Sequence, residues 1–152
     1  MAYMIDGHNL IPKVRGLRLN MLDDEEALIQ LLQDFCRTQR KTVDVYFDRA
    51  AAGHAGKKRY GLVTAHFVRE GSTADQAIIS RLRKLKKAAR NVIVVSSDRQ
   101  IVSEVRSVGA LPLRSEDFAR MLIQDIENRE EESPNLSPEE IEQWLDLFDS
   151  SS

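Results

Sequence analysis

A single cysteine, Cys36, rules out an internal disulfide. Its place beside Phe35 in an amphipathic segment reads as a buried, inert thiol. No apolar run approaches the ~20 residues that a membrane span needs. His8, His54 and His66 are scattered and have no cysteine partners at zinc spacing. Neither a P-loop nor a G-x-G-x-x-G is present, so nucleotide-cofactor binding has no support. No Ser-His-Asp nucleophile arrangement can be argued. Because an apolar segment begins at Ala2, no signal peptide is expected, and the features together suggest a cytoplasmic protein. With 42% hydrophobic and 30% charged residues, the 152-residue chain has the composition of one soluble domain able to bury a real core.

The net charge of −2 conceals an asymmetry. Residues 1–127 hold 21 Lys and Arg against 16 Asp and Glu, whereas residues 128–152 hold one Arg against eight acids. The body is basic and suits a polyanionic partner.

Strand and helix patterns alternate along that body. Residues 2–6, 42–48, 62–68, 91–96 and 110–113 read as strands, and residues 49–61 as a loop ending in Lys57-Lys58-Arg59-Tyr60. Helices are expected over 23–40, from Ser72 or Thr73 to about Ala89, over 98–108, and over about 116–127. Five strands alternating with helices imply an α/β fold with a parallel sheet covered on both faces. Residues 128–152 read as an acidic linker followed by a C-terminal amphipathic helix at about 137–148. Ser137-Pro138-Glu139-Glu140 supplies its N-cap, N1 proline and capping-box glutamate. Ile141, Trp144, Leu145 and Phe148 share one face of it. That face would dock on its own domain or anchor a second subunit or partner.

Four aspartates fall where such a sheet gathers its functional residues, outside the carboxyl ends of the strands near the switch in strand order. Asp6 closes the first strand, Asp48 the second, Asp98 follows the fourth, and Asp75 begins the helix after the third. Two carboxylates about 4 Å apart repel by roughly 4 kcal/mol at an effective dielectric of 20. A converging cluster therefore calls for a divalent cation or for retained protons. In Asp6-Gly7-His8-Asn9, Gly7 would permit a sharp turn and close approach to a ligand, and Asn9 a bond to a metal-bound water or a phosphate. In Ser96-Ser97-Asp98, Ser97 would orient a carboxylate or bind phosphate, while Asp98 also suits a helix N-cap. Lys57-Lys58-Arg59-Tyr60 interleaves an aromatic with cations, a pattern suited to single-stranded nucleic acid. The basic helix 81–87 reads as a solvated face.

Residues 2–121 resemble the NYN domain family, the branch of the PIN-like nucleases that includes the YacP-like ribonucleases. The likeness rests on Asp6-Gly7-His8-Asn9, Val45-Tyr46-Phe47-Asp48, Gly71-Ser72-Thr73-Ala74-Asp75 and Val95-Ser96-Ser97-Asp98, in the family's order and spacing. It implies a PIN-like three-layer fold over residues 1–127, with a five-stranded parallel sheet ordered 3-2-1-4-5. It also implies metal-dependent RNA cleavage. The acidic site would comprise Asp6, Asp48, Asp75 and Asp98, with Asn9 and Ser97 supporting. Asp6, Asp75 and Asp98 would hold Mg2+ or Mn2+, and single-stranded or loosely structured RNA would be the substrate. Where many PIN domains place another acid after the last aspartate, Arg99 and Gln100 follow here. Two other classes share these features: an RNA-binding protein that does not cut, and an interaction module working through the Trp144 helix.

Overall fold

The computed structural model describes residues 2–14, 24–50 and 53–132, with side chains as far as 128. The C-terminal helix expected at about 137–148 lies outside the described residues. β1 (Ala2–Asp6) is central, with β2 (Thr42–Ala50) and β5 (Val92–Val95) parallel on either side. β4 (Val63–Arg69) extends the sheet beyond β2, and β6 (Leu111–Leu113) extends it beyond β5, both in parallel. These five strands take the expected 3-2-1-4-5 order.

A sixth strand was not expected. β3 (Gly56–Tyr60) pairs antiparallel with β4 at the sheet edge, giving the full order β3-β4-β2-β1-β5-β6. The basic run is therefore a strand and not the end of a loop. A two-residue turn, Gly61-Leu62, reverses the chain, with Gly61 at φ 62°, where a glycine carries no Cβ penalty.

Side-chain alternation builds the layers. Tyr3, Ile5, Val43, Val45 and Phe47 pack on one face of the sheet against Leu28, Leu32 and Phe35 of α2 (Asp24–Gln39) and Phe118 and Leu122 of α5 (Ser115–Glu132). Met4, Tyr46, Val92 and Val94 face the other way, onto Ile78 and Leu82 of α3 (Ala74–Leu85) and Ile101 and Val105 of α4 (Arg99–Ser107). Tyr3, Phe35 and Phe118 meet as an aromatic trio with centroids 5.3–5.8 Å apart.

Helix ends follow their caps. Thr73 accepts the Gln76 N–H at 3.1 Å while Gln76 accepts the Thr73 N–H at 3.2 Å, so Thr73 rather than Ser72 starts α3. α3 stops at Leu85, short of the expected Ala89, because Lys86 takes φ 51° and the chain continues as a 3-10 segment through Asn91. α5 runs unbroken through Glu132, where a linker was expected from Asn128.

Gly7 opens α1 (Gly7–Leu10) for a different reason from the one expected. It is not among the glycines with positive φ. It is required because a Cβ there would lie 2.3 Å from the ring of Phe47, which is fully buried. Gly7→Ala should cost about 1–3 kcal/mol by overpacking. In a Phe47→Leu background the added loss should shrink, as read from urea unfolding midpoints of the four proteins. Equal losses in both backgrounds would refute the clash.

Candidate active site

Each aspartate is delivered by a different element. Asp6 ends β1 and N-caps α1, its Oδ1 accepting the Asn9 N–H at 3.4 Å. Asp98 N-caps α4, accepting the Gln100 N–H at 2.9 Å, while its own N–H donates to Ser96 Oγ at 3.2 Å. Asp48 accepts the Ala74 N–H at 3.2 Å, which ties the end of β2 to the first turn of α3 and so to Asp75. The β2–β4 register slips between Phe47 and Ala50, and Arg49 sits at φ 59°. This bulge reorients the chain at Asp48 through a conformation costly for a residue with a Cβ.

The aspartates are not equivalent. Burial, a hydrogen bond with Asp75, and the charges of Asp75 and Asp48 raise the Asp6 carboxyl from an ordinary 3.8 to about 7, against a smaller lowering by the Asn9 N–H. Burial also raises Asp75; the bond with Asp6 offsets part of this, and the charges of Asp98, Asp48 and Glu104 add to it. One proton shared between the two carboxyls accounts for the opposite effect of the same bond on each, and that proton belongs to the pair. The remaining Asp75 oxygen, Oδ1, is buried and has no hydrogen-bond donor among the described residues.

Asp6 makes its contact with Asp75 and not with Asp98, and Asp98 acts on Asp75 through charge. Among the described residues, no three His, Cys, Asp or Glu side chains already form a metal-ready group. The donor chemistry nevertheless fits a hard divalent cation: carboxylate oxygens, one of them buried without a donor, with a proton standing in for positive charge.

Asn9 and Ser97 belong to a neighbouring network. Asn9 Oδ1 accepts from the Ser97 N–H at 3.0 Å and from Ser115 Oγ at 2.6 Å. Ser97 Oγ accepts the Ser115 N–H at 3.0 Å and lies 3.0 and 2.8 Å from the two Glu116 carboxylate oxygens. Lys13 and Arg114 complete it, 3.4 and 3.3 Å from Glu116. The Ser97 hydrogen bond is the largest of the effects that lower the Glu116 carboxyl, and Lys13 contributes further. The Asn9 carbonyl thus clamps the ends of β1 and β5 to the start of α5.

The basic strand is divided by its period-two alternation. Lys58 and Tyr60 share a cavity of about 340 Å³ with Asp48 and Arg49. Lys57 lines a separate cavity of about 400 Å³ with Asp44, His66 and Arg81, and Arg59 donates to the Gly61 carbonyl at 3.2 Å. Glu104 and Glu116 were missed in sequence. Glu116 was visible only as a first-turn acid that the helix dipole explains, and Glu104, well inside α4, had no motif around it.

The YacP-like NYN domain family matches residues 3–147. "Uncharacterized protein YacP" of Bacillus subtilis (strain 168) is 27% identical over 132 residues, covering 84% of this chain and 75% of that protein. The crystal structure of Rae1 (YacP) from Bacillus subtilis superposes with a TM-score of 0.72 at 23% identity, covering 99% of this chain and 90% of that one. Its W164L mutant gives 0.68 at 23% identity, over 86% and 79%.

The raised Asp6 carboxyl has a stability consequence. Between about pH 4 and pH 7 the folded state holds a proton that the unfolded state has released. In chelator, this carboxyl's contribution to stability is therefore highest at the acid end of this window and is lost as pH rises through about 7. Asp6→Asn should flatten that slope and raise stability at pH 8 by about 2 kcal/mol. Urea unfolding across the pH range checks this, and a wild-type slope retained by the variant would refute the shared proton.

Proposed function

The chain belongs to the YacP-like NYN domain family, and on that premise we propose that it is a metal-dependent endoribonuclease acting on single-stranded or loosely structured RNA. The observation that carries this reading is the proton-sharing pair Asp6 and Asp75 at the end of the sheet, with the charges of Asp48 and Asp98 bearing on it. A cluster that burial, and then its own repulsion, keeps protonated near neutrality is one whose charge a divalent cation can balance.

In this proposal Asp6, Asp75 and Asp98 would hold Mg2+ or Mn2+. A bound ion of this kind lowers the pKa of a water and stabilises charge on the scissile phosphate. Binding of such an ion would release the proton shared by Asp6 and Asp75 to solvent. Asp48 keeps Asp75 seated through the Ala74 N–H. The Asn9–Ser97–Ser115 bonds hold the strand ends at a constant distance. Lys58 and Tyr60, in the cavity that also holds Asp48, contact a phosphate and a base of the RNA, with Lys57 and Arg59 adding positive charge from the other side of the strand. By likeness to the family the 3′ oxygen would be the leaving group, so the products would carry 5′-phosphate and 3′-hydroxyl ends; water is the nucleophile, so the RNA 2′-hydroxyl is not needed.

End-labelled single-stranded RNA incubated with purified protein should be cut in Mn2+ or Mg2+ and left intact in EDTA. Asp6→Asn and Asp98→Asn should each slow cleavage at least about a hundredfold. Cutting that persists in both variants, or that 2′-deoxy substitution at the scissile position abolishes, would sink the mechanism. RNA bound but never cut would leave a binding protein in its place.

A further inference from the structure

A groove of about 1000 Å³ runs between α3 and α4. One end holds Thr73 and Asp75, and Gln100 stands on the α4 wall; Arg83, Lys84 and Lys86 line the far part of α3 and the residue after it. Asp75 and Arg83 lie eight residues apart on one helix, about 12 Å along its axis. The groove therefore joins the acidic cluster to three cations without leaving the α3–α4 face of the sheet.

Two features leave these cations placed to meet a phosphate. Lys86 stands at φ 51°, ψ −120°, a conformation that favours glycine and costs a residue with a Cβ. A long cationic side chain occupies that position and lines the groove. The cations also have no acidic partner among the ion pairs of the described residues. Glu104 is the acid on the α4 wall, and its charge bears on Asp75. The groove is thus negative near the aspartates and positive at its far end, the polarity that suits a strand whose scissile phosphate meets a cation-loaded acidic site while its neighbouring phosphates meet Lys and Arg.

We propose that the α3–α4 groove is the track of the RNA strand on one side of the cleavage site, with Arg83, Lys84 and Lys86 holding its backbone phosphates. This rests on the endoribonuclease reading for the identity of the strand, but its test does not depend on cleavage. Gln100, on the groove wall, offers an amide to a base or a 2′-hydroxyl. Such cations fix affinity and path and carry no sequence preference.

The test is fluorescence anisotropy of a short labelled oligouridylate in EDTA, with the binding constant measured across a salt series. Each phosphate contact to a single strand contributes about 0.7 to the slope of log Kobs against log salt. Arg83→Gln/Lys86→Gln should lower that slope by about 1.4 and leave the melting temperature nearly unchanged. Arg37→Gln/Arg120→Gln removes the same charge from α2 and α5 on the opposite face and should leave the slope at its wild-type value. Arg83→Lys/Lys86→Arg should restore it. Equal slopes in all four proteins, or equal losses in both neutralised pairs, would overturn the track. Should RNA go uncut while the Arg83 and Lys86 slope change appears, the track stands and the nuclease reading falls. Metal-dependent cleavage with no slope change does the reverse.

Discussion

The contact between Asp6 and Asp75 is the constraint around which this end of the molecule is arranged. Two carboxyls in contact and largely out of water are unfavourable, and a shared proton relieves only part of that. The rest must be held by structure. Asp6 is fixed because β1 is the central strand, paired on both sides and sandwiched between two apolar layers. Asp75 is fixed because the capping box at Thr73 sets where α3 begins and Asp48 ties that turn to the end of β2. Neither carboxyl can swing away without loosening a helix start or a strand end.

The polar groups around this pair divide their work. Asp48 and Asp98 add negative charge while each satisfies a backbone N–H at a helix start. The Asn9, Ser97 and Ser115 bonds join three elements that meet only at the strand ends, and Glu116 closes the network toward Lys13 and Arg114. This second network keeps the strand ends from spreading under the repulsion of the first. Gly7 lets α1 begin directly against Phe47, which keeps Asn9 within reach of Ser97.

The cations lie on three surfaces. Lys58 faces the α2 side of the sheet edge, Lys57 faces the α3 side, and Arg83, Lys84 and Lys86 line the groove between α3 and α4. A basic stretch that looks continuous in the chain is therefore two unlike surfaces when it is a strand. A stretch that looks like a plain solvated helix face is, in part, the wall of a groove that begins at Asp75.

Much of the fold was legible in sequence, because strand ends, helix starts and core faces are written in local periodicity and capping chemistry. The order of the five parallel strands came from the family resemblance, whereas the burial of Leu28, Leu32 and Phe35 and the starts of α3 and α4 follow from patterns only a few residues long. So does the delivery of the four aspartates to strand ends and helix starts. What was not legible depends on residues far apart in the chain. Whether Asp6 meets Asp75 or Asp98 depends on how α3 seats against β1 and β2. Whether Asn9 faces a ligand or clamps Ser97 and Ser115 depends on where α5 begins in space. Whether Gly7 serves a turn or makes room for a ring depends on the β1–β2 register that brings Phe47 beside it. The sequence by itself determined which residues stand at the working end of the sheet. Only tertiary packing decided which of them touch, because contact between elements is set by register and layer packing that no local pattern encodes.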